Sequence, residues 1–186
     1  GRPKLLLPWG NTSILGHLLT QWSKVGASQI AVVVAPDHSA LESELAAHPQ
    51  IAPARIVNPA PDQGMFSSIL SAARWPHWNC DVTHWIVALG DQPHLQLTTL
   101  ERLLEAALAS PDAICQPARS NRPRHPVALL RSAFERLRQT NAANLREFLE
   151  ASPERRLKIE MDDPGLDLDI DTPQDYEAAQ KAGLRR

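Results

Sequence analysis

The chain has 186 residues, a formal net charge of −2, ordinary apolar and charged fractions and two cysteines. That length suits one domain with a real core, and the absence of a basic field argues against bulk nucleic-acid binding. No apolar run approaches membrane-spanning length and no signal peptide is visible. Cys80 and Cys115 lie far apart without CxxC spacing, which fits a reduced cytoplasmic protein better than a disulfide scaffold.

Gly1-Arg2-Pro3-Lys4 is a polar entry, followed by the apolar patch Leu5-Leu6-Leu7-Pro8-Trp9-Gly10. Lys4 is the cation nearest that patch, and a lone Lys there reads as a solvated surface residue. Asn11 or Thr12 is expected to cap a helix to about Val25, with Ile14, Leu15, Leu18, Leu19 and Trp22 on one stripe and Gly26 ending it. Gln29 to Ala35 reads as a buried strand. Asp37 is expected to cap a helix to about His48, and Arg55 to Val57 to form a strand ending at Asn58. Alternation of helix and strand predicts a parallel α/β sheet.

Asn58 to Ser68 reads as strand end, loop and helix start, with Gly64 just before the helix. Helix-start amides with Ser67 and Ser68 could receive an anion; the alternative is an ordinary join whose serines satisfy helix-end amides. His77, Cys80 and Asp81 lie in a Pro-Trp loop whose spacing matches no common metal pattern, and are read as structural.

Trp85 to Leu89 is a nearly unbroken apolar run that stops at Gly90-Asp91-Gln92-Pro93. It reads as a strand of a parallel sheet with one carboxylate at its carboxyl end, the end where ligands bind in open α/β sheets. Asp91 there suits a hard divalent cation; the alternative is a turn Asp that caps the next helix. His94, three residues beyond Asp91, could touch the same pocket; the favoured alternative is a surface-loop residue. Thr98 or Thr99 is expected to cap a helix to Ala109, before a strand at Asp112 to Pro117. Arg119, Arg122 and Arg124 form a basic loop leading into a strand at His125 to Leu130. That loop could meet phosphates or simply be solvated.

Helices at about 131–139 and 142–151 and a strand at 155–161 follow. Asp167, Asp169 and Asp171 then alternate in what reads as an extended segment, on one face. They form either an exposed acidic edge or a metal carboxylate opposite Asp91. Thr172, Pro173 and Asp175 read as N-cap, first and third positions of a last helix.

Five stretches in order carry a resemblance. They are Gly1 to Pro8, Asn58 with Gly64-Met65-Phe66-Ser67-Ser68, Leu89-Gly90-Asp91-Gln92-Pro93, Arg124-His125-Pro126-Val127, and Asp169 to Tyr176. Together they resemble the MobA-like nucleotidyltransferases, which include molybdenum cofactor cytidylyl- and guanylyltransferases. The resemblance implies a Rossmann-like three-layer α/β sandwich with a mostly parallel central sheet, as in nucleotide-diphospho-sugar transferases. It implies Mg²⁺ and transfer of a nucleoside monophosphate from an NTP to a phosphorylated acceptor such as molybdopterin. By it Lys4 and Asp91 would be catalytic, with Lys4, Asn58, Gly64, Ser67 and His125 binding nucleotide or acceptor. Asp91 with Asp169 or Asp171 would hold the metal. CTP is favoured over GTP, because Gly1 to Gly10 and Asp169 to Tyr176 look more like the cytidylyltransferase branch. A molybdoenzyme or chaperone would be the protein partner.

The resemblance also places a strand and a Gly-rich phosphate loop ahead of Gly1. The alternatives to this reading are a sugar phosphate or other phosphorylated acceptor, a metal-dependent glycosyltransferase of related fold, and a non-catalytic nucleotide- or partner-binding protein.

Overall fold

The computed structural model describes residues 3–36 and 39–183. The Asp37 cap and the Gly1-Arg2 start of the first motif lie outside the described residues. After a single 3-10 turn at Lys4–Leu6, strand β1 (Pro8–Trp9) turns back on β2 (Thr12–Ser13) as an antiparallel pair. Helix α1 follows at Ile14–Lys24. Its cap is Ser13, whose hydroxyl accepts from the Gly16 amide, not Asn11 or Thr12, because the helix starts at Ile14, directly after Ser13. Gly26 ends it with φ +83°, a left-handed conformation that glycine adopts without penalty.

Strand β3 (Ala31–Val34), helix α2 (Ser39–Ala46), strand β4 (Ala54–Val57), helix α3 (Met65–Arg74) and strand β5 (His84–Val87) continue the alternation. Then come α4 (Leu97–Ala109), β6 (Ala113–Arg119), the two-residue β7 (Arg122–Pro123), β8 (Val127–Leu130), α5 (Arg131–Arg136), α6 (Leu145–Ala151), β9 (Arg155–Glu160) and α7 (Pro173–Gly183). β3 pairs parallel with β4, and β6 parallel with β9. β8 runs antiparallel to both β5 and β6, so β5, β6 and β9 share one direction. The result is a mixed α/β fold with a mostly parallel central sheet.

Strand periodicity sorts the core into two faces. Trp85, Ile114, Val127 and Leu129 pack with α3, α5 and α6, while Ala113, Cys115 and Ala128 pack with α4. Leu15 and Leu19 of α1 and Leu41 and Leu45 of α2 cluster with Val34. Trp85 and Phe134 stack at 4.4 Å with rings 5° from parallel, an arrangement worth roughly 0.5–1.5 kcal/mol beyond its buried area.

Among the described residues β3 pairs only with β4, and β5 only with β8. Between them lies a slot of about 560 Å³ lined by Val32 and Val33 on one side, Trp85 and Ile86 on the other, and Leu5 and Gly90 at one end. No described helix is long and apolar enough to cross a membrane.

Candidate active site

The site is built where the chain leaves β5. Gly90 lets the Lys4–Leu6 turn lie across that end: a Cβ there would sit 2.7 Å from Leu5 Cδ2. The close approach brings Lys4 to Asp91. Lys4 Nζ is 3.1 Å from Asp171 Oδ1 and 3.8 Å from Asp91 Oδ2. Lys4 is therefore not the solvated residue that its isolated reading gives, but sits between two carboxylates.

The second wall is the 163–171 segment. The Ile170 amide donates to the Asp91 carbonyl at 3.1 Å, and His94 Nε2 donates to the Leu168 carbonyl at 2.9 Å. Gln92 Nε2 donates to Asp169 Oδ1 at 2.9 Å. His94 is buried, not on a surface loop, because it zips these two segments together. Asp163, also buried, anchors the second wall to α4. It accepts from the Gln96 amide, the Thr99 hydroxyl and the Gly165 amide. This distant carboxylate caps α4 in place of Thr98 or Thr99, whose helix starts at Leu97.

The three alternating aspartates do not share one face. Pro164–Asp167 is a 3-10 turn, which rotates Asp167 away to pair with Arg119 and Arg124. Two of the three loop arginines are thereby engaged by a carboxylate. Asp171 pairs with Lys4, and Asp169 is left with an uncharged amide. Thr172 and Asp175 form the expected reciprocal cap: the Asp175 amide donates to Thr172 Oγ1, and Asp175 Oδ2 accepts from the Thr172 amide.

Asn58, Gly64 and Ser67 gather on the other side of the slot. Asn58 is buried; its Nδ2 donates to Ser67 Oγ at 2.7 Å and Ser68 Oγ at 3.0 Å, and its Oδ1 accepts from the Ala60 amide. Ser67 Oγ also lies 2.7 Å from the Gly64 carbonyl. These side chains brace the join from β4 to α3, while Gly64 at φ +81° is exposed with open space above it. No hydrogen bond or ion pair among the described residues links this group to Asp91. Met65 and Ser68 line the slot from one side, Leu89 and Gly90 from the other. His125 faces the Val87 carbonyl through Nδ1 at 3.4 Å, and burial holds its pKa below the usual imidazole value.

Could this site hold a divalent ion? Among the described residues no group of three or more His, Cys, Asp or Glu side chains forms a metal cage, and Asp171 is paired with Lys4. Two carboxylates remain. Among the described residues Asp91 Oδ1 is buried without a hydrogen-bond partner, and Asp169 is exposed and its side-chain partner is the Gln92 amide. An orphaned carboxylate oxygen beside a second carboxylate fits a hard cation such as Mg²⁺, which is commonly held by one or two carboxylates plus substrate phosphates.

Burial raises the Asp91 pKa, Lys4 opposes that, and Asp169 and Asp171 add to it. Protons and cations compete for this carboxylate. Mn²⁺ affinity is therefore expected to fall on acidification while the pH is still above about 3.9, the ordinary Asp value. Electron paramagnetic resonance of free Mn²⁺ against pH checks this. Affinity that stays flat down to that value would contradict it.

Gln92 and Asp163 escaped the sequence reading. Gln92 meets Asp169 77 residues away, and Asp163 meets Gln96 and Thr99 67 and 64 residues away; neither residue type carries a local signal for such a distant contact.

Residues 1–157 match the family model of the MobA-like NTP transferase domain. A search of the curated proteins finds no match. Among solved structures the chain is similar to Rv0371c of Mycobacterium tuberculosis H37Rv in complex with manganese, at 24% identity and TM-score 0.72, over 97% of this chain and 93% of that one. It is similar to 4-diphosphocytidyl-2C-methyl-D-erythritol synthase from Anaerococcus prevotii DSM 20548 (12% identity, TM-score 0.76, 98% and 93% covered). A further likeness is to molybdopterin-guanine dinucleotide biosynthesis protein A from Archaeoglobus fulgidus (15%, TM-score 0.63, 98% and 91%). At these identities the likeness is one of fold.

Proposed function

This chain belongs to the MobA-like NTP transferase family, and on that premise we propose that it moves a nucleoside monophosphate from an NTP to a phosphorylated acceptor, releasing pyrophosphate. CTP is the proposed donor ahead of GTP, and molybdopterin the proposed acceptor. The observation that carries the reading is the pair Asp91 and Asp169 with Lys4 beside it, at the carboxyl end of β5.

In the proposed reaction an acceptor phosphate oxygen attacks the α-phosphorus and pyrophosphate leaves. Two anions must approach, so catalysis is chiefly positioning and charge neutralisation. Lys4 supplies a positive charge that can exchange its carboxylate partners for phosphate oxygens. Mg²⁺, held by Asp91 and Asp169 when bound, would screen phosphate charge as a Lewis acid. His125, kept neutral by burial, offers a hydrogen-bonding group and no net charge. No general base is needed, because the attacking phosphate is already ionised. Asn58 and Ser67 shape the β4–α3 corner, and Gly64 leaves room there for base, ribose or acceptor.

Residues 1–186 are read as one nucleotidyltransferase domain. The slot between β3 and β5, whose facing edges are unpaired among the described residues, suits one further parallel strand, apolar on both faces. A chain carrying that strand should no longer take up an apolar dye in the slot; unchanged uptake would contradict this.

The test of the activity is pyrophosphate release from CTP, GTP, ATP and UTP with Mg²⁺, with and without molybdopterin. Acceptor-dependent release, greatest with CTP, is expected. Release that ignores the acceptor, or none from any nucleotide, would contradict the reading.

A further inference from the structure

Asp169 is a solvent-exposed carboxylate on a segment with no regular structure. An exposed Asp ordinarily samples several rotamers, and ordering it for one ligand costs free energy. Its two alternating neighbours are fixed by cations: Asp167 by Arg119 and Arg124, Asp171 by Lys4. Asp169 is fixed differently. Its Oδ1 accepts from Gln92 Nε2 at 2.9 Å, and Gln92 is only 4% exposed. A buried amide is locked by its packing, so it can act as a stop for the carboxylate it touches.

The choice of an amide has a chemical consequence. A Lys or Arg at this position would hold Asp169 equally well and would neutralise it, weakening its pull on a divalent ion. An amide donates a hydrogen bond and carries no charge, so Asp169 keeps its full negative charge and an oxygen free. The backbone supports the same arrangement. The Ile170 amide on the Asp91 carbonyl and His94 on the Leu168 carbonyl hold the two segments in register on either side of the contact. Among the described residues Gln92 Oε1 is buried without a hydrogen-bond partner. Burying an unpaired amide oxygen is costly, which core packing alone would not call for.

We propose that Gln92 is the positioning residue of the site: its side-chain amide holds Asp169 beside Asp91, so that the two carboxylates meet a divalent cation already aligned. The inference rests on the metal assignment made above. Supporting partners of this kind typically contribute about 10- to 100-fold in metal affinity.

The test is Mn²⁺ binding to the full chain without nucleotide, read by electron paramagnetic resonance, together with the thermal midpoint of the metal-free protein. Wild type, Gln92→Met and Asp169→Asn are compared. Met matches the length of Gln and suits a buried site. Gln92→Met is expected to weaken Mn²⁺ binding about 10- to 100-fold while the metal-free midpoint stays at or above that of wild type. A merely structural role would lower the midpoint and leave the affinity alone. If Asp169→Asn loses Mn²⁺ and Gln92→Met binds it within about twofold of wild type, the role of Gln92 is overturned and the metal assignment stands. If wild type takes up no Mn²⁺, or Asp169→Asn binds it as wild type does, the metal assignment fails and the role of Gln92 fails with it.

Discussion

Asp91→Asn is expected to stop pyrophosphate release, lowering turnover on the order of a thousandfold, about 4 kcal/mol of transition-state stabilisation. Asn keeps the shape and removes the charge. Asp91 is the carboxylate that β5 delivers to the carboxyl edge, and one of its oxygens is buried with no hydrogen-bond partner among the described residues. The fold should not suffer. Burial raises the Asp91 pKa, which means that the folded state holds the proton more tightly than the unfolded chain does. Stability then falls as pH rises through the window between the unfolded and folded values, and above that window the ionised carboxylate is a standing cost. Asn removes that cost and loses only a 3.8 Å contact with Lys4. The thermal midpoint at neutral pH should therefore match or exceed that of wild type. Near-normal turnover, or a variant that fails to fold, would contradict this.

Asp163→Ala is expected to have the largest effect on stability. The carboxylate is 1% exposed and accepts three hydrogen bonds, from the Gln96 amide at 2.9 Å, Thr99 Oγ1 at 2.7 Å and the Gly165 amide at 2.9 Å. Deleting it leaves three donors unpaired, two of them buried, and removes the cap of α4. A loss of about 3 kcal/mol follows, which lowers the thermal midpoint of a chain this size by about 6–12 °C. Asp163→Asn keeps one acceptor oxygen and should lose less. Because Asp163 ties the 164–171 segment to α4, Mn²⁺ affinity should fall along with the midpoint, unlike in Gln92→Met. Unfolding followed by circular dichroism checks the first point, and a midpoint within about 2 °C of wild type would contradict it.

What the sequence makes legible depends on whether the signal is local. β5 is readable as a strand because the apolar run Trp85-Ile86-Val87-Ala88-Leu89 is too short for a helix; its pairing is not, since its partner among the described residues is β8, which runs antiparallel to it. The cap of α7 is readable because Thr172 and Asp175 need only each other. The cap of α4 is not, since its acceptor comes from Asp163, far along the chain. Alternation of Asp167, Asp169 and Asp171 suggests one shared face, yet a 3-10 turn at Pro164–Asp167 breaks the period and sends Asp167 to the arginines. The β1–β2 hairpin was hidden for another reason: two strands of two residues each carry too little pattern to outweigh a helix start at the same place.

The site follows the same rule. Lys4 has no local signal as a site residue and gains its meaning only from Asp91 and Asp171, brought to it across the fold. Gln92 is adjacent to Asp91 in sequence, but its role is set by Asp169.

The most direct measurement follows the α-phosphorus. With CTP labelled at that position, Mg²⁺ and a phosphorylated acceptor, the label should pass to the acceptor in step with pyrophosphate release, and Asp91→Asn should leave it in CTP. Label recovered as free CMP, or transfer that persists in Asp91→Asn, would contradict transfer of a nucleoside monophosphate at this carboxylate pair.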